Sequence, residues 1–115
     1  MELMVLTAVY EAKAPPTVAQ IGRSLGHPRQ VIQRAANSLT AAGLIRLADN
    51  PDHKRASLLL CTEQGVTFKQ ADRARAAALT DALMRVVDSE QVAEAVALLR
   101  QIRRQIETHI KDRDR

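Results

Sequence analysis

Aromatic side chains are almost missing from this chain. Tyr10 and Phe68 are the only two, and there is no tryptophan. Binding of single strands by stacking bases on aromatic rings is therefore not expected. The core has to be built from Ala, Val, Leu and Ile. A single cysteine, Cys61, excludes an internal disulfide and fits a reducing, cytoplasmic compartment. No uninterrupted apolar run approaches the ~20 residues needed to span a bilayer. The chain does not open with a charged region followed by an apolar run and a cleavage site. No Ser/His/Asp ordering, phosphate loop or paired-carboxylate arrangement stands out, so the chain is not read as an enzyme and no cofactor is implied. His27, His53 and His109, with Cys61, show no metal-ligand spacing. There is no internal repeat and no low-complexity segment.

Acid is missing from one long stretch. From Ala12 to Ala48 there is no Asp or Glu, yet the stretch carries Lys13, Arg23, Arg29, Arg34 and Arg46. The whole chain of 115 residues has a formal net charge of +4 and leans towards acidic partners. Its length supports a single domain with a modest core.

Within the acid-free stretch, Pro28 to Gly43 reads as a helix. Ile32, Ala35, Ala36 and Leu39 recur at helical spacing and form an apolar stripe. Gln30, Gln33, Arg34 and Asn37 fall on the opposite face. Gln and Asn pair with adenine edges, and Arg with guanine. A plain solvent-facing helix usually mixes both signs, so a one-signed face points to duplex DNA as the partner.

The flanking segments give this helix a setting. Glu2 to Ala12 places Leu3, Leu6, Val9 and Tyr10 at helical spacing, and Lys13 to Pro16 ends that helix because two prolines cannot continue it. Thr17 caps a short second helix carrying Val18, Ile21 and Leu25, which Gly26 closes. The two short helices with their Gly-containing turn make a helix-turn-helix, whose second helix enters the major groove. Gly43 stops that helix. Leu44 to Ala48 and Ser57 to Cys61 read as antiparallel strands. The turn-rich connection from Asp49 to Ala56 ends in Lys54 and Arg55, placed to reach phosphates or the minor groove. A helix-turn-helix followed by a hairpin is a winged helix.

Thr62 caps a long helix running from about Glu63 to Val87, roughly 25 residues or about 38 Å. Asp88 or Ser89 caps a last helix from Glu90 to about Ile110. Its stripe is Val92, Val96, Leu99, Ile102, Ile106 and Ile110. Two such helices cannot both rest on a winged helix of about 60 residues, so a second copy of the chain is expected to cover the surplus. The competing expectation is an intramolecular hairpin that covers itself. The fold class is thus mostly α with a small β-hairpin wing. One domain spans 1–115, with helix-turn-helix and wing over 1–61 and dimerisation helices over 62–115.

This order of elements resembles the MarR family of winged-helix transcription regulators, from Leu3 to about Ile110. The carrying residues are Thr17-Val18-Ala19-Gln20-Ile21, Leu25-Gly26, Leu39, Gly43-Leu44-Ile45, and Arg55 seven residues before Thr62, then Gly65. In the family a wing arginine precedes a Leu-Thr-x-x-Gly sequence by this spacing; here that sequence is Cys61-Thr62-Glu63-Gln64-Gly65. Three features depart. Relatives have an aspartate two residues before the wing arginine, whereas here that residue is His53 and the acid, Asp52, stands one place earlier. The ion pair that shapes the wing in relatives is therefore left open. Cys61 stands where relatives have leucine. The further N-terminal helix that in relatives supplies part of the dimer interface and one wall of an effector pocket is not seen before Glu2. The dimer is then expected to rely on the last two helices, and no small-ligand site is carried over.

The resemblance and the residues together imply a homodimeric, sequence-specific regulator binding double-stranded DNA, most simply a repressor on an inverted repeat. Arg34 matches a position where relatives often have arginine and is the leading base-reading candidate, followed by Gln30, Gln33 and Asn37. Arg29 near the helix start is expected on a phosphate, as are Arg23 and Ser24 on the preceding helix and Lys54 and Arg55 on the wing, Arg55 being equally suited to brace the wing. A winged helix used for protein contact is the rival reading, and it gives no reason for an acid-free recognition face. A ligand- or redox-responsive variant would add to the first reading. For Cys61, alternation with Leu59 points to a buried structural thiol rather than a sensor.

Overall fold

The computed structural model describes all 115 residues. The elements follow in the order α1 (Glu2–Glu11), α2 (Val18–Leu25), α3 (Arg29–Ala41), β1 (Ile45–Ala48), β2 (Leu58–Cys61), α4 (Glu63–Met84) and α5 (Ser89–Arg113). They divide into two compact units, Met1–Ala74 and Arg75–Arg115.

The first unit is a winged helix. Its core is Val5, Leu6 and Val9 of α1, Val18 and Ile21 of α2, Ile32, Ala35, Ala36 and Leu39 of α3, with Ile45 and Leu59 from the wing. The α3 stripe is buried as its spacing indicates, and its two alanines let α1 approach closely. On α1 the stripe is displaced from the expected one. Val5 is buried and Leu3 is 49% exposed, because α1 turns its Val5–Leu6–Val9 side towards α3 and β2.

Local signals set the helix ends. The Thr17 hydroxyl accepts from the Gln20 N–H at 3.2 Å, and the Gln20 side chain accepts from the Thr17 N–H at 2.9 Å. This reciprocal pair satisfies two otherwise orphaned amides at the start of α2. Gly26 ends α2 at φ 72°. Gly43 does the same after α3 at φ 77°, with the Leu44 N–H reaching Leu39 O and the Gly43 N–H reaching Thr40 O, both at 3.0 Å. That is the Schellman arrangement, and both positions need the left-handed backbone that glycine adopts without penalty.

The wing strands pair Ile45 with Cys61, Arg46 with Leu60, Leu47 with Leu59 and Ala48 with Leu58. Each strand is one residue shorter than expected. Leu44 lies in the α3 terminal motif, with its carbonyl taken by the Thr62 N–H at 3.1 Å, and Ser57 belongs to the wing connection. The Pro16 carbonyl accepts from the Leu59 N–H at 2.8 Å, tying the segment before α2 to the edge of the sheet.

The start of α4 is clamped to this unit. The Thr62 hydroxyl donates to the Gly43 carbonyl at 2.6 Å and accepts from the Gly65 N–H at 3.0 Å. Gly65 is buried, and a Cβ there would come within 2.0 Å of the Leu44 carbonyl oxygen. The Thr-x-x-Gly spacing is thus explained by backbone contact. One turn on, Lys69 is only 4% exposed; its ammonium donates to the Thr7 hydroxyl at 2.9 Å and pairs with Asp72 at 3.3 Å. Arg73 pairs with Glu11 at 2.7 Å and lies over the Tyr10 ring, 5.0 Å from its centroid.

In the second unit α4 ends at Met84, three residues before Val87. Arg85–Val87 turn instead, with the Val86 N–H on Leu83 O, before Asp88 caps α5 through its carboxylate on the N–H groups of Glu90 and Gln91. The extended backbone of a cap at Asp88 cannot continue α4. At its other end α5 runs past Ile110 to Arg113, where Lys111 and Arg113 suit the negative end of the helix. No residue of α5 is buried. No helix of the chain is long and apolar enough to cross a membrane.

Candidate nucleic-acid interface

Burial of the Ile32–Ala35–Ala36–Leu39 stripe turns Gln30, Gln33, Arg34 and Asn37 outward, and all four are exposed. The Gln33 amide donates to the Asn37 carboxamide oxygen at 2.9 Å. This one-turn pair orients both amides while leaving each with free donor and acceptor positions. No side chain caps the start of α3, so its first amides are left without a side-chain acceptor.

Three clefts divide the polar residues. A cleft of about 90 Å³ lies between α2, α3 and the wing, lined among others by Thr17, Arg29, Gln33, Arg55 and Ser57. It brings Arg55 of the wing beside the first two turns of α3. On the other flank of α3, Val31, Arg34 and Ser38 follow at spacings of three and four and share a groove with Glu2 at the start of α1. Arg23 and Arg29 meet His27 in a pocket at the helix-turn-helix turn. Two sequence candidates stand apart from these. Ser24 lies in the groove between α1 and α2, beside Met4 and Glu11. Lys54 is exposed at the wing tip and lines none of the clefts.

The wing is held without an ion pair. Asn50 shapes it, its side chain accepting from the Asp52 N–H at 3.0 Å and its carbonyl from the His53 N–H at 3.2 Å; the Ala56 N–H then closes on His53 O at 3.2 Å. Arg55 makes no carboxylate contact and lines the cleft beside α3. Around His53 the wing is shaped by these backbone turns.

Cys61 faces inward with Leu59, as alternation requires, but the expectation of a buried thiol is corrected to a half-buried one. It stands at the end of the sheet, opposite Ile45, where the core thins. Burial pushes its pKa up, and the Lys69 ammonium pulls only partly the other way. Such a thiol stays protonated and is a poor nucleophile at neutral pH.

Sequence reasoning passed over two residues. Val31 is exposed on α3 between the polar positions, and its only sequence signal is an apolar residue standing off the stripe. His27, noted in the sequence for its lack of metal-ligand spacing, lines a pocket with two arginines.

Comparison with known proteins bears on the same region. Residues 1–56 match a family model described as the MarR family. That segment, which holds α1, α2, α3 and β1, is MarR-like. Uncharacterized proteins of Mycobacterium tuberculosis and Mycobacterium bovis are 44% identical over 72 residues, which is 63% of this chain and 50% of theirs. The chain spans about half the length of these curated relatives. Among solved structures, the MarR family transcription regulator SP03579 covers 96% of this chain with 72% of its own at TM-score 0.86 and 24% identity. FabT of Streptococcus pneumoniae, crystallised in complex with DNA, covers 93% with 73% of its own at TM-score 0.73 and 18% identity. At these identities the likeness is one of fold.

Proposed function

We propose that this chain is a homodimeric transcription regulator of the cytoplasm that binds double-stranded DNA sequence-specifically, as a repressor on an inverted-repeat operator. The observation that carries the proposal is the exposed face of α3. Gln30, Gln33, Arg34 and Asn37 stand clear of the core with no acid among them, and Arg29 and Arg55 share a cleft beside them. In this reading Arg34 reads a guanine, Gln30, Gln33 and Asn37 read neighbouring bases, and Arg23, Ser24, Arg29, Lys54 and Arg55 hold phosphates. Ser24, in its separate groove, is the weakest member of this set. A MarR fold of like architecture in complex with DNA adds support.

The dimer is supported by the apolar surface of the long helices. Val92, Val96, Leu99, Ile102, Ile106 and Ile110 are each between 37% and 66% exposed along one side of α5. Contiguous apolar surface of this extent marks an interaction site, and a second copy offers the same stripe.

The test is a gel-shift against the DNA flanking the protein's own gene, repeated over a salt series. Neutralising about six to eight phosphates per dimer gives a log-log slope of about −5 to −7. A flat salt response, or no binding at low salt, would favour a winged helix used for protein contact.

A further inference from the structure

We propose that the turn between α2 and α3 is a seat for a DNA backbone phosphate built from Arg23, His27 and Arg29, in which protonation of His27 tightens binding. The inference rests on the DNA-binding reading above and adds both a residue and a pH response to it. The three side chains line one open pocket of about 280 Å³, with only Ala19 and Gly22 beside them. Arg23 faces it from the last turn of α2 and Arg29 from the first turn of α3; no acid lines it. None of the three side chains hydrogen-bonds or pairs with a protein group. Cations gathered without a counter-charge repel one another, and an anion between them relieves that repulsion.

The backbone fixes His27 in this place. Its N–H donates to the Gly22 carbonyl at 3.0 Å, and its own carbonyl lies where a Cβ on Gly22 would come within 3.0 Å. Glycine at 22 therefore lets the turn close tightly enough for His27 to line the same pocket as the two arginines. The neighbouring groups that His27 faces are Arg23 from α2 and Arg29 from α3, both cationic at any physiological pH. Histidine is the side chain whose charge changes between about pH 5 and 8. An anion seated beside the ring favours its protonated form, and the protonated ring favours the anion. Phosphate binding and protonation of His27 are thus linked, each favouring the other.

The experiment uses the intact protein and a mixed-sequence DNA duplex, because phosphate contacts are sequence-independent. Affinity is measured at about pH 6 and about pH 8 at matched ionic strength, for the wild type and His27→Gln. The wild type should bind about tenfold tighter at the lower pH, one added ion pair per protomer. Its salt slope there should be steeper by about 2, one further phosphate for each protomer. His27→Gln should lose both differences, while any part due to His53 or His109 stays. In parallel, the His27 ring resonance of the wild type is titrated by NMR, free and with duplex, which needs no variant to fold. Its midpoint should rise with DNA. An unmoved midpoint, an unchanged pH response in His27→Gln, or a shift produced by inorganic phosphate but not by DNA would overturn the seat. Salt-dependent, pH-independent binding would overturn it and leave the DNA-binding reading standing; no DNA binding at either pH would overturn both.

Discussion

Arg34 and Lys54 carry the same charge in different settings. Arg34 stands on the exposed face of α3 in a groove with Val31 and Ser38, and Lys54 stands at the tip of a wing shaped by backbone turns. Arg34→Ala should cost about 1–3 kcal/mol on the cognate site and relax preference at one base pair, whereas Lys54→Ala should weaken all sequences about equally. Competition binding against single-base operator variants measures both; equal, sequence-independent losses would refute base reading by Arg34. Cys61 makes a second residue-scale prediction. Its folded pKa lies above that of a free thiol because it is desolvated. The unfolded chain therefore releases this proton first as pH rises, so the stability tied to the protonated thiol is fully present below the unfolded pKa. It declines as pH climbs from there through the folded value. Alkylation of the native protein at neutral pH should be slower than that of the unfolded chain, and mild peroxide should leave DNA binding unchanged. A complex that dissociates on mild oxidation, with Cys61→Ser resistant, would make this thiol a sensor instead.

At the scale of elements, α4 meets the end of α3 and the start of β1 backbone to backbone. Gly65 and Thr62 press α4 onto the Gly43–Leu44 backbone. Gly65→Ala should cost about 1–3 kcal/mol or more, because the atom it meets is a backbone carbonyl that has to move. Gly26→Ala meets no atom within 4 Å and pays only for its positive φ, about 1–2 kcal/mol. Urea unfolding of both variants checks the order. If Gly26→Ala were the more damaging, the clamp would not be what holds α4. Beyond this clamp α4 is fastened to α1 by polar contacts, Lys69 to Thr7 and Arg73 to Glu11. The buried Lys69 ammonium depends on Thr7 and Asp72, since an unpaired buried charge is costly.

For the molecule as a whole, the proposed dimer would join affinity to assembly. One recognition helix reads only a few base pairs, too few for selectivity against a genome. A two-fold dimer doubles the contact and requires half-sites about one helical turn apart, roughly 34 Å. Leu99 and Ile106 are 66% and 55% exposed on α5, in the middle of the stripe. Carboxylates at both positions would be unpaired in an apolar seam. Leu99→Glu with Ile106→Glu should give a monomer whose winged helix stays folded, and operator affinity should fall to the non-specific level. Sedimentation and gel-shift on the same samples test the two halves. A wild type that is already monomeric, or a double variant that dimerises and binds normally, would put the interface elsewhere.

The helix-turn-helix was legible in the chain because its signals are local. Thr17, Gly26 and Gly43 act within four residues of themselves, through caps and left-handed turns, and the α3 stripe follows from helical period alone. The polar face of α3 was legible for the same reason. Tertiary structure decided what depends on distant partners. Val5 displaced Leu3 in the core because α1 had to meet α3 and β2. Gly65 belonged to a spacing pattern, and only the Leu44 backbone lying against it gives the physical reason. Nothing in the sequence sets Lys69 apart, yet it is buried against Thr7, 62 residues away. The gathering of Arg29, Gln33 and Arg55 at one cleft, and of Arg23, His27 and Arg29 at another, was likewise beyond a reading by period. Spacing along a helix says which residues share a face; only packing between elements says which faces meet.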